Sequence, residues 1–158
     1  MKTYLAPENY LSHRPPMLLV SRVIEVTPER VVCETDAGAG GPLEPHVDEE
    51  GVVPAEFLLE MMAQTIGVWA GVKRVEEEAS GAAGEPLAEI GLLLSVRQAV
   101  FNAVAVEPRG VLEIRMDKLM QEGQVGTFEG EVLRRGEVLA SGRITVYQPL
   151  EKELDTLF

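Results

Sequence analysis

Cysteine is nearly absent. Cys33 is the one thiol in 158 residues, so neither an internal disulfide nor a cysteine-based metal site can be built. That usage fits a reducing compartment, and a cytoplasmic location is expected. Histidine occurs twice, at His13 and His46, without metal-ligand spacing, so no metal and no cofactor are expected. Basic residues are outnumbered, with Lys plus Arg at 14 against Asp plus Glu at 26 and a net charge of −12. Such a chain repels phosphate backbones and anionic lipid, so neither nucleic acid nor membrane is an expected partner. There is no glycine-rich phosphate loop or nucleotide fingerprint. Residues 1–25 lack a charged segment followed by an apolar run, and no signal peptide is expected.

Long apolar runs are also scarce. The longest, Ala55–Val72, carries Glu56, Glu60 and Gln64. Its 18 residues lie near the lower limit of a membrane span, roughly 17–25, but acids are costly in lipid. The run therefore reads as a buried helix of a soluble protein. Apolar residues make up 46% and charged residues 25%, an ordinary globular composition for one domain.

Along the chain, residues 17–26 and 30–35 read as strands separated by a turn at Thr27-Pro28-Glu29. Residues 36–53, with four glycines, two prolines, His46 and the run Asp48-Glu49-Glu50, form a long loop of the kind that usually carries function. Pro54 is placed to open the apolar helix, being favoured at a first helical position. Ala63, Gly67 and Gly71 make a smooth stripe at i, i+4, i+8 against which a sheet can approach closely. Lys73 and Arg74 are expected near the helix C-terminus, where the dipole favours cations, with a charged linker over 75–86. Strands follow at 87–96, 98–106, 112–116, 125–133 and 138–146, with a hairpin turn at Arg134-Arg135-Gly136-Glu137. The chemistry of burial predicts an α+β fold in which one long central helix is wrapped by a curved antiparallel sheet. Residues 1–150 are expected as a single domain and 151–158 as a frayed C-terminal tail.

Glu60 is the anomaly of the helix. A buried carboxylate neutralises, finds a partner or has a task; alternatively this one faces solvent. Gln64 lies one turn on, within hydrogen-bonding reach. His46 lies 14 residues before Glu60 on the loop leading into the helix. Taken alone, a loop histidine is more often a surface residue than a base, yet together the two offer a base and an acid. The first N–H groups of the helix, from Ala55 onward, are donors for a developing oxyanion. Base, acid and oxyanion donors suit removal of a proton next to a carbonyl with loss of a β-substituent.

Two blocks carry a family resemblance. Leu11-Ser12-His13-Arg14-Pro15-Pro16-Met17-Leu18-Leu19-Val20-Ser21-Arg22-Val23 resembles the opening segment of the 3-hydroxyacyl-acyl-carrier-protein dehydratases of the FabZ type. The stretch from His46 through Pro54-Ala55 to Leu59-Glu60-Met61-Met62-Ala63-Gln64 resembles their active-site loop and central helix. Gly91–Arg97 is more similar to the divergent dehydratase-like proteins of aryl-polyene gene clusters. The chain departs from the pattern in placing Val47-Asp48-Glu49 after the histidine, where the family has Phe-Pro-Gly.

The resemblance implies the hot-dog fold and dehydration of a 3-hydroxyacyl thioester on an acyl carrier protein to the trans-2-enoyl thioester, in fatty-acid or polyene biosynthesis. His46 would remove the α-proton and Glu60 would protonate the departing hydroxyl. Gln64 would orient Glu60, and the Ala55 N–H would stabilise the thioester oxygen. It also implies a homodimer or higher homo-oligomer, or a heteromer with a paralogue, in which His46 faces Glu60 of the other chain. Lys73, Arg74 and Arg97 are the candidate cations for docking the acidic carrier protein. Two alternatives remain open: an acyl thioesterase on the same fold, and a non-catalytic hot-dog subunit beside an active dehydratase. His13 reads as an anchor of the N-terminal segment, Cys33 as a buried thiol, and Trp69 as core or interface packing.

Overall fold

Two periodicities, 3.6 in one segment and 2 in the others, become one helix and a set of strands. The computed structural model describes residues 2–81 and 91–157. Its elements are β1 (Arg22–Val26), β2 (Arg30–Asp36), β3 (Val53–Pro54), α1 (Phe57–Ser80), β4 (Leu92–Phe101), β5 (Ala105–Val106), β6 (Val111–Glu122), β7 (Val125–Arg134), β8 (Glu137–Tyr147) and a short α2 (Leu154–Leu157). Six strands form one antiparallel sheet in the order β1-β2-β6-β7-β8-β4, while β3 and β5 pair with each other. The expected α+β architecture is present, with α1 laid across the sheet and packed on β6, β2, β7 and β8.

The alternation in β6 works as its sequence predicts. Leu112, Ile114 and Met116 are fully buried, and their register partners on β2 are Thr35, Cys33 and Val31, also buried. Leu58, Met61, Met62, Ile66, Val68, Trp69 and Val72 of α1 close the core. Burying an aliphatic side chain of this size contributes about 1.5–3 kcal/mol. Trp69 meets Phe128 edge-on at 5.3 Å and donates from Nε1 to the Thr27 carbonyl at 3.0 Å. Burial pushes the Cys33 thiol up to about 12, which leaves it protonated and unreactive. Between β7 and β8, Arg135 and Gly136 both take positive φ, 49° and 79°, the backbone of a two-residue hairpin turn.

Several boundaries differ from the sequence expectation. β1 begins at Arg22 rather than at residue 17. The preceding segment lies across α1 because Gln64 captures its backbone: Leu19 N donates to Gln64 Oε1 at 2.9 Å, and Gln64 Nε2 donates to the Met17 carbonyl at 2.8 Å. Pro54 does not open the helix. Val53 and Pro54 are drawn into pairing with Val106 and Ala105, and α1 starts at Phe57 after a tightened turn in which Leu58 and Leu59 donate to the carbonyls of Ala55 and Glu56. At its other end α1 runs to Ser80 and stops at Gly81 in the left-handed conformation, φ 71°. Lys73 and Arg74 thus precede the last turn, and residues 75–80 are helix, not linker. Residues 82–90, which include the rest of that linker and the start of the expected strand over 87–96, lie outside the described residues.

The smooth stripe receives a different neighbour from the one expected. It is the N-terminal segment, not the sheet, that presses on it. A Cβ at Gly71 would stand 2.5 Å from the Tyr10 carbonyl oxygen and 2.6 Å from Tyr10 Cβ, and one at Gly67 would stand 2.7 Å from Leu11 Cδ2. The sheet side of α1 is already filled by larger side chains. The tail is not frayed either. Glu153 accepts hydrogen bonds from Tyr147 Oη at 2.7 Å and from Gln124 Nε2 and Leu150 N at 2.9 Å each, which pins residues 151–157 to the ends of β7 and β8.

The two glycines separate under substitution. Gly71→Ala collides with backbone, so strain of about 1–3 kcal/mol exceeds the roughly 1 kcal/mol that alanine gains in a helix. Its thermal midpoint falls. Gly67→Ala meets only the end of a leucine side chain, which can rotate away, and its midpoint in the same melt stays close to that of the parent.

Candidate active site

His46 ends a 3-10 turn, Glu44–His46, anchored by the fully buried Leu43. Its Nε2 lies 2.7 Å from the Pro16 carbonyl. A carbonyl only accepts, so Nε2 carries a proton and the lone pair of the neutral ring is on Nδ1. The Phe57 ring packs against the imidazole at 4.5 Å. The acidic residues after His46 close a turn of their own. Asp48 Oδ1 accepts from Glu50 N at 2.9 Å and Val52 N at 3.3 Å, and Asp48 N donates to the Val52 carbonyl at 2.8 Å. Gly51, at φ 80°, permits the reversal. The Asp48 carboxylate is thereby committed to backbone N–H groups.

Glu60 stands in the first turn of α1, where the helix dipole favours an anion. Its side chain is 40% exposed, so within one chain it is not the fully buried acid that the apolar run suggested. Oε1 accepts from Gln64 Nε2 at 3.0 Å, and Gln64 itself is 1% exposed. His13 Nε2 stands 3.5 Å from the same oxygen. These three residues open on a groove of about 420 Å³ floored by Ala63, Gly67 and Ala70 of α1, with Leu11 and Val146 on its walls. Arg74 also lines it. Along α1 the lining runs from Glu60 to Arg74, 14 residue steps or about 21 Å at 1.5 Å per residue.

Glu60 and Gln64 are brought together as expected. His46 does not line the Glu60 groove, and among the described residues no hydrogen bond or ion pair joins the two. Ala55 sits between β3 and α1, directly after the Pro54–Ala105 pair, and outside the groove lining. The candidate docking cations do not form one patch. Lys73 lies over the Trp69 ring at 5.4 Å, with Lys118 at 5.0 Å. Arg97 is on the edge strand β4 opposite Arg143. The sequence reads His13 as an anchor only, and the structure adds its contact with the acid. The signal is its place in the opening motif, but that motif says nothing about which side chain on α1 it meets.

A long helix packed on a six-stranded antiparallel sheet is the hot-dog fold, and the comparisons with known proteins place it among the dehydratases. The family model described as ApeP dehydratase matches residues 5–158. A 3-hydroxyacyl-[acyl-carrier-protein] dehydratase FabZ from Xanthomonas euvesicatoria pv. vesicatoria is 30% identical over 142 residues, covering 87% of this chain and 86% of that protein. The FabZ of Shewanella pealeana is 31% identical over 137 residues, with 85% and 84% covered. Among solved structures, a chain of the dehydratase heterocomplex ApeI:P from Xenorhabdus doucetiae superposes with a TM-score of 0.84 at 37% identity, over 98% of this chain and 97% of that one. A mutant of the phenylacetic acid degradation protein PaaI from Thermus thermophilus, at 17% identity and a TM-score of 0.57 over 80% of this chain and 90% of that one, shares the fold alone. The chain belongs to the ApeP-like dehydratases. It is a lyase. Among the described residues, no helix is long and apolar enough to cross a membrane.

Gln64 holds both the acid and the N-terminal segment, which gives a stability test. Gln64→Leu keeps the volume but orphans the Leu19 N–H and the Met17 carbonyl. An unsatisfied buried group costs about 1–3 kcal/mol, so a loss of about 2–6 kcal/mol is expected for the pair. Urea unfolding reads it directly.

Proposed function

We propose that this chain dehydrates a 3-hydroxyacyl thioester carried on an acyl carrier protein, with His46 as base and Glu60 as acid in a site completed by a second subunit. The observation that carries the reading is the separation of the two groups within one chain, next to a sheet edge left open. Among the described residues β4 pairs only with β8 and exposes Leu93, Leu94, Val100 and Phe101. Edge-to-edge pairing there covers this apolar strand and brings a second chain against the groove, whose lining includes Gly91 and Leu93 at the start of β4. His46 of one chain then meets Glu60 of the other.

In this site His46 Nδ1 takes the α-proton. The electron pair of that C–H bond forms the Cα–Cβ double bond. The Cβ–O bond breaks, and the hydroxyl takes a proton from Glu60 and leaves as water. Negative charge that develops on the thioester oxygen is met by the Ala55 N–H and the dipole of α1. The groove along α1 receives the apolar acyl chain or the pantetheine arm.

Partner choice follows from the same edge. The similarity to a chain of the ApeI:P heterocomplex supports pairing with a paralogous hot-dog subunit as well as with a second copy. Val47-Asp48-Glu49 in place of the family's Phe-Pro-Gly is the feature that favours the second reading, a non-catalytic hot-dog subunit beside an active dehydratase. A chain used at β4 in this way hides Arg97, so Lys73 and Arg74 are the better docking cations for an acidic carrier protein. A cytoplasmic location suits that partner.

Each general acid or base contributes about 10²–10⁴-fold. Glu60→Gln and His46→Ala should each lower conversion of a 3-hydroxyacyl-pantetheine to its enoyl product by that much, and wild-type turnover in both would sink the dyad. Product analysis decides against a thioesterase, which would release a free acid. Light scattering should find an oligomer, and a monomer at micromolar concentration counts against the shared site. Reversing both docking charges (Lys73→Glu with Arg74→Glu) should raise KM about tenfold for the carrier-linked substrate at low salt. That effect should shrink as the Debye length shortens with added salt.

A further inference from the structure

The mechanism above leaves one polar group near the acid unused. His13 Nε2 stands 3.5 Å from Glu60 Oε1, while its Nδ1 is buried with no hydrogen-bond partner. Among the described residues the carboxylate is the one polar contact of this ring. From this geometry we infer that His13 is a positioning residue for the Glu60 acid. It acts with Gln64 to engage Oε1 and leave Oε2 as the oxygen that carries the transferred proton. This rests on the reading of Glu60 as the general acid.

The placement of His13 is built rather than incidental. Tyr10 wedges against Gly71 at distances that admit no side chain there, and the end of the Leu11 side chain rests on Gly67. Arg14 then folds back, with Nη1 donating to the Leu11 carbonyl at 2.9 Å and to the His13 carbonyl at 2.7 Å. Past the turn, Gln64 fixes Met17 and Leu19. The backbone on both sides of His13 is therefore tied to α1, and its ring is delivered to the same helix one turn before Gln64.

Glu60 Oε1 thus faces two nitrogens: Gln64 Nε2 donates a hydrogen bond at 3.0 Å, and His13 Nε2 stands within ion-pair range at 3.5 Å. Oε2 accepts no hydrogen bond among the described residues. A carboxyl group with one oxygen held by the amide and faced by the imidazole presents its other oxygen to the groove, and its rotation about the terminal bond is restrained. Both effects aim the proton at the groove. Restraint of this kind matters because a small misplacement of a catalytic group can cost on the order of 10²-fold.

The test uses the assembled protein and a 3-hydroxyacyl-pantetheine substrate. His13→Leu should lower kcat about 10- to 100-fold with little change in KM. His13→Gln, whose amide nitrogen can reach where Nε2 stands, should recover most of the loss. In a Glu60→Gln background, His13→Leu should add almost nothing, since the two act as a unit. Where His13→Leu does not fold, His13→Asn, too short to reach Glu60, takes its place. Unchanged kcat in the apolar or short variant, a rise in KM alone, or a His13→Gln as impaired as His13→Leu overturns the proposal while leaving the acid assignment standing. A Glu60→Gln enzyme of wild-type activity overturns both.

Discussion

The capture of the N-terminal segment by α1 is the constraint on which the site depends. One buried amide, Gln64, replaces the strand neighbours that residues 17–19 would otherwise need, taking Leu19 N and the Met17 carbonyl into hydrogen bonds. The same amide nitrogen reaches the Glu60 carboxylate. An orphaned backbone group in this position costs more than a hydrogen bond normally contributes, so the segment and the acid are ordered together. His46 is tied in as well, because its acceptor is the carbonyl of Pro16, one residue upstream of Met17. His46 and Glu60 thus share one stretch of backbone as their reference, although no hydrogen bond or ion pair joins them among the described residues.

The helix divides its labour by face. Large residues such as Met61, Met62 and Trp69 fill the core over the sheet, and the small residues opposite admit the chain's own N-terminal segment at backbone distance. What remains between that segment and the end of β8 is the groove. Its width is set by residues that have almost no side chain, which is why a single added methyl at Gly71 disturbs the wall and a methyl at Gly67 does not.

Much of the fold is legible in the sequence, and for a physical reason. Alternation over Leu112–Met116, the apolar run from Ala55 and the Arg135-Gly136 turn are local signals whose periods differ, and local energetics suffice to place them. The limits of elements are less legible because they are settled by distant partners. Pro54 suits a helix start on its own terms, yet Ala105, about fifty residues later, recruits it into a strand. Residues 17–21 have the composition of a strand, but an amide on α1 takes their backbone. The Glu60–Gln64 pair follows from helical spacing alone. The contact of His13 with Glu60 joins residues 47 positions apart in sequence, and no periodicity encodes it. The glycine stripe is visible as a close approach, but what approaches is not, since a smooth surface does not name its neighbour.

The open edge has a meaning beyond the site. β4 presents unpaired backbone and four large apolar side chains along a strand whose alternation has broken down. Two register shifts and a residue with positive φ, Gln98 at 53°, interrupt it, and Arg97 faces Arg143 across the ladder. Irregular twist and like charge make this edge a poor template for indiscriminate strand addition. A strand that covers these four side chains has to follow the same broken register, which a generic extended segment does not do.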